Sequence, residues 1–196
     1  MIPAQEFRLG LVPLARTTFD IKLAEEIVDR ARRHLVAADF RLVGPTSLVT
    51  DLQDLGTAVQ GLAGESLDLL VVLQSTFADS SMVLELARSV NAPLLLWAVP
   101  EERTGGRLRL NSFCGVNLAA HALRRNHHQY EYLYAAPDDA SVQGKIDSLA
   151  RAGRAYRLLR QARVGRVGEN PEGLDSCLVD STALAHKFGL DLVQVE

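Results

Sequence analysis

Arg16, Gln74, Thr76, Phe77, Glu101, Asn111 and Ser112 bring a guanidinium, amides, hydroxyls, an aromatic ring and a carboxylate to segments that follow short apolar runs. Ser75 adds a further hydroxyl. Polyols are held by such a set: polar groups pair with the hydroxyls, and an apolar face takes the carbon skeleton. Taken singly, each residue reads first as turn chemistry or local capping. Their arrival at one edge of a sheet gives the set a functional reading.

Other chemistries leave weaker marks. The chain has no GxGxxG and no GxxxxGK[ST], so no phosphate-cradling loop is expected. It has no GxSxG nucleophile elbow. Gly165-Arg166-Val167-Gly168 is only a glycine pair after a strand. His34, His121, His127, His128 and His186 form neither HExxH nor HxH. Adjacent His127 and His128 would point to opposite faces of a strand, so this chain is expected to bind no metal. Asp138-Asp139 is expected to cap the helix that follows. Glu101-Glu102 lies in a loop where a general acid or base could act.

The elements that must position these groups alternate. Leu67 to Phe77 holds the apolar run Leu69 to Leu73 and then turns polar, the pattern of a strand buried on both faces. Arg8–Leu14 is a first strand, which Pro13 is expected to take out of the ladder. Thr17 with Asp20, and Thr50 with Gln53, have capping-box spacing. Helices are expected from there to about Leu35 and to about Gly64, with strand Phe40–Val43 between them. A helix through Met82 and Val90, a strand Leu94–Val99, a helix Val116 to about Arg125, a strand Tyr130–Ala136 and a helix from Pro137 to about Ala162 follow.

Strands alternating with helices imply βαβ units. The reading is an α/β, flavodoxin-like, doubly wound parallel sheet of five strands with helices on both faces, over residues 1–162. Ligands in such sheets lie beyond the carboxyl ends of the strands, where Arg16, Gln74 to Phe77, Glu101 and Asn111-Ser112 fall. Residues 163–196 change register: a strand, a turn at Asn170 to Gly173, a helix Cys177–Phe188 and a strand Leu190–Val195. A lone β-α-β cannot bury its own apolar faces, so this stretch reads as the opening of a second, truncated α/β domain.

With 196 residues, 47% of them hydrophobic and 23% charged, the composition is that of a globular protein. A net charge of -3 gives no basic field for nucleic acid. The basic run Arg151 to Arg166 is interleaved with apolar residues and reads as a solvated helix face. No apolar run reaches transmembrane length, and no secretory h-region opens the chain. Cys114 and Cys177 are isolated thiols. A cytoplasmic protein is expected.

The loops resemble the N-terminal region of the L-fucose/L-arabinose isomerase superfamily, most closely its fucose isomerase-like branch. The resemblance is carried by Leu9 to Asp20, Gln74-Ser75-Thr76-Phe77, Pro93 to Glu101 and Arg109 to Gly115. The family's enzymes interconvert aldoses and ketoses with a divalent metal, usually Mn²⁺, as homo-oligomers. The resemblance implies a fragment of such an enzyme, or a natural stand-alone first domain, that is inactive alone because it lacks its own catalytic centre. The family's metal ligands lie in later domains, so nothing here matches them. The first domain of the family walls a neighbouring subunit's active site. By resemblance, Arg16, Phe77, Asn111 and Ser112 are substrate-specificity groups, and the partner is a small sugar. Arabinose isomerases have a histidine where this chain has Cys114, and one more residue in that block, which sets the chain apart from them.

Two other readings stand beside the isomerase domain, one a stand-alone sugar-binding or regulatory module and the other a structural oligomerisation domain.

Overall fold

β3 (Leu69–Gln74) is the central strand, and every residue in it is buried. Its side chains alternate between two cores. Leu70 and Val72 belong to one, and Leu69, Val71 and Leu73 to the other. A strand sandwiched in this way must be apolar on both faces, which is why it reads as an unbroken run rather than an alternation. Each such Leu or Val contributes about 1.5–3 kcal/mol on burial.

The computed structural model describes residues 6–102, 104–169 and 172–195. β1 (Phe7–Leu14), β2 (Phe40–Val43), β4 (Leu94–Ala98) and β5 (Glu131–Tyr134) join β3 in one parallel sheet, in the order β2-β1-β3-β4-β5. Of the connecting helices, α1 (Ile21–Ala37) and α5 (Ala140–Gln161) cover one face. The opposite face is covered by α2 (Leu52–Leu62), α3 (Ser80–Ser89) and α4 (Ser112–Arg125). The fold class therefore matches the sequence reading. The order reverses direction between β1 and β3, so their carboxyl ends form the crevice where such folds place ligands.

Several local expectations are corrected. Pro13 stays in β1, in register with Leu73. Its carbonyl accepts the Val49 N–H at 2.9 Å, so its nitrogen faces the β2 side. β2 has already ended there, at Val43 opposite Gly10, and the missing donor removes no ladder bond. Asp20, not Thr17, caps α1 by accepting from the Leu23 N–H at 3.0 Å. Asp51, not Thr50, caps α2 by accepting from Gln53 and Asp54, each at 2.9 Å. In each case an aspartate one residue before the helix outcompetes the hydroxyl, because its charged acceptor also suits the positive end of the helix dipole. Asp139 accepts the Ser141 N–H at 2.8 Å before α5. Asp138 instead pairs with Arg30 at 2.6 Å.

The chain divides into two compact units, with the change at Gly153/Arg154 inside α5. The second contains β6 (Arg163–Val167) and β7 (Asp191–Val195), paired in parallel, with α6 (Ser181–Phe188) between them. A short 3-10 turn at Asp175–Cys177 occupies the start of the expected helix, which begins only at Ser181. Asp180 caps α6 and Gly189, at φ 70°, ends it. Asn170 and Pro171 of the expected turn lie outside the described residues. None of the described residues from 154 on is buried. No helix among the described residues is long and apolar enough to cross a membrane.

Candidate functional site

The carboxyl ends of β1, β3 and β4 form a lip above the sheet, and backbone hydrogen bonds tie its segments together. Ser75 N–H donates to the Leu14 carbonyl at 2.9 Å, and Phe77 N–H to the Leu110 carbonyl at 2.7 Å. Arg16 N–H donates to Thr76 Oγ1 at 2.8 Å, and that hydroxyl donates on to the Phe77 carbonyl at 2.9 Å. The β1, β3 and β4 loops thus form one hydrogen-bonded platform.

α4 is anchored to this platform more firmly than its sequence suggests. It begins at Ser112, four residues ahead of the expected Val116. Ser112 is buried, and its Oγ accepts the Val99 N–H at 2.9 Å while donating to the Gln74 carbonyl. Glu101 turns back and accepts the N–H groups of Leu110 at 2.9 Å and Asn111 at 2.7 Å, one with each oxygen. Asn111 takes a left-handed backbone, φ 54°, and its side chain makes no capping bond. Asparagine is among the few non-glycine residues that tolerate this conformation, and it leaves the half-buried amide free for other partners.

The residues singled out from sequence come together at one edge but divide by access. Arg16 is exposed, and Phe77, Glu101 and Asn111 are half-buried. Gln74, Thr76 and Ser112 are buried, so their side chains shape the platform from beneath. Gln74 is unusual: neither its Oε1 nor its Nε2 has a hydrogen-bond partner among the described residues. Its amide packs against Gly115 in the first turn of α4. A Cβ added there would meet Gln74 Oε1 at 2.7 Å.

A stacked set of rings and guanidiniums crosses the lip. Arg16 lies 5.9 Å from the Phe77 ring centre, Phe77 and Phe19 are 6.2 Å apart, and Arg107 lies 5.5 Å from Phe19. These are cation–π and ring-packing distances. Arg16 also pairs with Asp79 at 3.2 Å. Arg109 grips Asp20 Oδ2 through Nε at 3.0 Å and Nη2 at 2.7 Å. Sequence reasoning did not single out Phe19, Arg107 or Arg109 as site groups. The Phe19-Asp20 pair at the entry to α1 was the available signal, since a ring just before a capping aspartate is held at the lip.

Asp20 thus joins the helix cap to the lip. The Leu23 N–H, and then Arg109, favour its carboxylate and hold its pKa below the ordinary aspartate range. A depressed carboxylate contributes stability above the unfolded value, near ~3.9, and loses it as pH falls through the lower folded value. Asp20→Asn is therefore expected to lower the urea midpoint at pH 5 and above. The gap to wild type should close as the pH approaches that folded value. A gap that stayed constant into acid would show that the charge contributes nothing.

Fold and lip together define a flavodoxin-like α/β domain with a polar and aromatic surface over its switch point. The chain belongs to the fucose/sulfoquinovose isomerase N-terminal domain family, whose pattern it matches over residues 10–160. It is 31% identical to a sulfoquinovose isomerase of Alkalicoccus urumqiensis over 185 residues, covering 94% of this chain and 41% of that protein. It is 27% identical to one of Priestia aryabhattai over 94% of this chain and 42% of the relative. A third, of Clostridium sp. (strain MSTE9), is 28% identical over 97% of this chain and 42% of the relative. The chain thus spans less than half the length of the curated relatives it matches.

Proposed function

We propose that this chain is the N-terminal domain of an aldose–ketose isomerase and forms one wall of a neighbouring subunit's active site in a homo-oligomer. The observation that carries the reading is the family match over residues 10–160, which includes every segment of the lip. On this reading Arg16 donates to sugar hydroxyls, Phe77 offers an apolar face, and Asn111 and Glu101 flank them. Gln74, Thr76 and Ser112 position those groups from below. Because the relatives are named for sulfoquinovose, that sugar is the substrate to test first.

The described residues do not fit the Mn²⁺ that the resemblance implies. Nowhere among them do three or more His, Cys, Asp or Glu side chains gather as a metal would need. The reading therefore places the metal, and the proton transfers of isomerisation, in parts of the protein beyond these residues. What this chain supplies is binding and orientation. The second unit, with none of its described residues buried, reads as the opening of the next domain.

The test is isomerisation of sulfoquinovose, followed by NMR in the presence of Mn²⁺. The protein as its source makes it and the 196-residue chain are assayed side by side. Ketose is expected from the first and none from the second. No turnover of sulfoquinovose or fucose by the natural protein would overturn the reading, and turnover by the 196-residue chain alone would overturn the division of labour.

A further inference from the structure

We propose that Arg107, stacked on Phe19, is a specificity-determining residue that recognises the sulfonate of the substrate; this rests on the isomerase reading above. The arginines of the lip differ in how far their guanidiniums are already engaged. Arg109 is committed, with Nε and Nη2 both on Asp20 Oδ2. Arg16 shares an open pair with Asp79 at 3.2 Å. Arg107 has no carboxylate partner among the described residues. Its Nη2 donates only to the Thr18 carbonyl, at 3.3 Å, and its side chain is exposed.

The lip as a whole is not a basic field, since Asp20, Asp79, Glu101 and Glu102 offset its arginines. Recognition of an anion there has to be local and pairwise, and among the described residues Arg107 is the lip cation with donors to spare. Sulfoquinovose is a hexose-type sugar whose terminal carbon carries a sulfonate, an anion at every pH at which proteins are folded. Its tetrahedrally disposed oxygens accept two parallel N–H bonds from a guanidinium, as phosphate does. The guanidinium is likewise always charged, so the pairing does not titrate.

Geometry supports the same assignment. The Arg107 guanidinium lies over the Phe19 ring, Phe19 leans on Phe77, and Arg16 lies over Phe77 in turn, so the two cations and two rings form one continuous surface. A sugar lying against the rings would present its hydroxyls toward Arg16 and Asn111 and its anionic end toward Arg107. A site that hydrogen-bonds a substrate group strongly disfavours the analogue that lacks it, because its own donors are then left unpaired. Quinovose, the same sugar with a methyl in place of the sulfonate-bearing carbon, is that analogue.

The experiment compares kcat/KM for sulfoquinovose and quinovose in the natural full-length protein and in its Arg107→Gln variant. Wild type should prefer sulfoquinovose. Arg107→Gln should lower the ratio of the two kcat/KM values by about 10–100-fold, the range for losing a hydrogen-bonded charge pair. A purely structural role for Arg107, holding its loop to Thr18, would lower both values together and leave the ratio unchanged, which would overturn the proposal. Should Arg107→Gln fail to fold, Arg107→Lys keeps a charge and loses the fork. A fall of at least a few-fold in the ratio is expected there, and an unchanged ratio again overturns the proposal. Absence of turnover on either sugar by wild type sinks the isomerase reading itself, and the sulfonate assignment with it.

Discussion

Gly153→Ala is expected to destabilise the first unit by about 3 kcal/mol, toward the upper end for over-packing a tight contact. Gly153 is buried in α5 where the helix crosses the start of β3. A Cβ built there lies 1.8 Å from the Asp68 carbonyl oxygen and 3.1 Å from Pro93 Cγ. The first obstacle is backbone, and it cannot turn aside as a side chain would. Asp68 is held in turn by its N–H to the Arg8 carbonyl at 2.8 Å and by its carboxylate, which accepts the Arg8 N–H at 3.0 Å. Alanine improves helix propensity by about 1 kcal/mol over glycine, so the steric effect must exceed that to win, and at this distance it does. Gly144 of the same helix is the matched control, with nothing within 4 Å of its added Cβ. Gly144→Ala should stabilise by about 0.5–1 kcal/mol. Urea unfolding of the two variants reads the contrast, and a Gly153→Ala midpoint at or above wild type would refute it.

Ser112→Ala should destabilise by about 2–4 kcal/mol, although it removes a single oxygen. That oxygen serves the Val99 N–H and the Gln74 carbonyl, both in buried surroundings. Each buried polar group left without a partner costs about 1–3 kcal/mol. The same hydroxyl fastens the first turn of α4 to the ends of β3 and β4, so the damage should concentrate at the lip. Amide exchange reads this directly: protection of Val99 should fall far more than that of Val71 in mid-strand. Equal, small losses at both sites, with stability within about 0.5 kcal/mol of wild type, would mean that α4 is held by packing alone.

The fold was legible where burial dictates composition. β3 is apolar because both its faces are covered, and an unbroken run from Leu69 to Leu73 can be read without any knowledge of its neighbours. The same holds for α1, whose buried Ala24, Ile27, Val28, Ala31 and Leu35 follow the helical period. Features set by long-range partners were not legible. The start of α4 depends on Glu101 reaching ten residues along the chain to Asn111, and on Ser112 bridging two strands. No local propensity records either. Pro13 misled for a related reason, since whether a missing N–H matters depends on where the neighbouring strand stops. At the lip, side-chain types gave the location but not the division between exposed Arg16 and buried Gln74, Thr76 and Ser112. That division follows from strand alternation and from the helix laid over it. The Arg107–Phe19–Phe77–Arg16 stack joins segments far apart in the chain and leaves no periodic trace.

The contact between Gln74 and Gly115 has a bearing on how this surface can be altered. The amide fills the space a side chain at 115 would need, with only 2.7 Å to Oε1 and 3.2 Å to the Phe77 Cα behind it. The two positions therefore act as one slot shared between a strand and a helix, and a side chain at 115 requires a smaller one at 74. A mutational library that randomises position 115 alone should return glycine. One that varies both at once reaches combinations in which a helix side chain takes the space the strand's amide now fills.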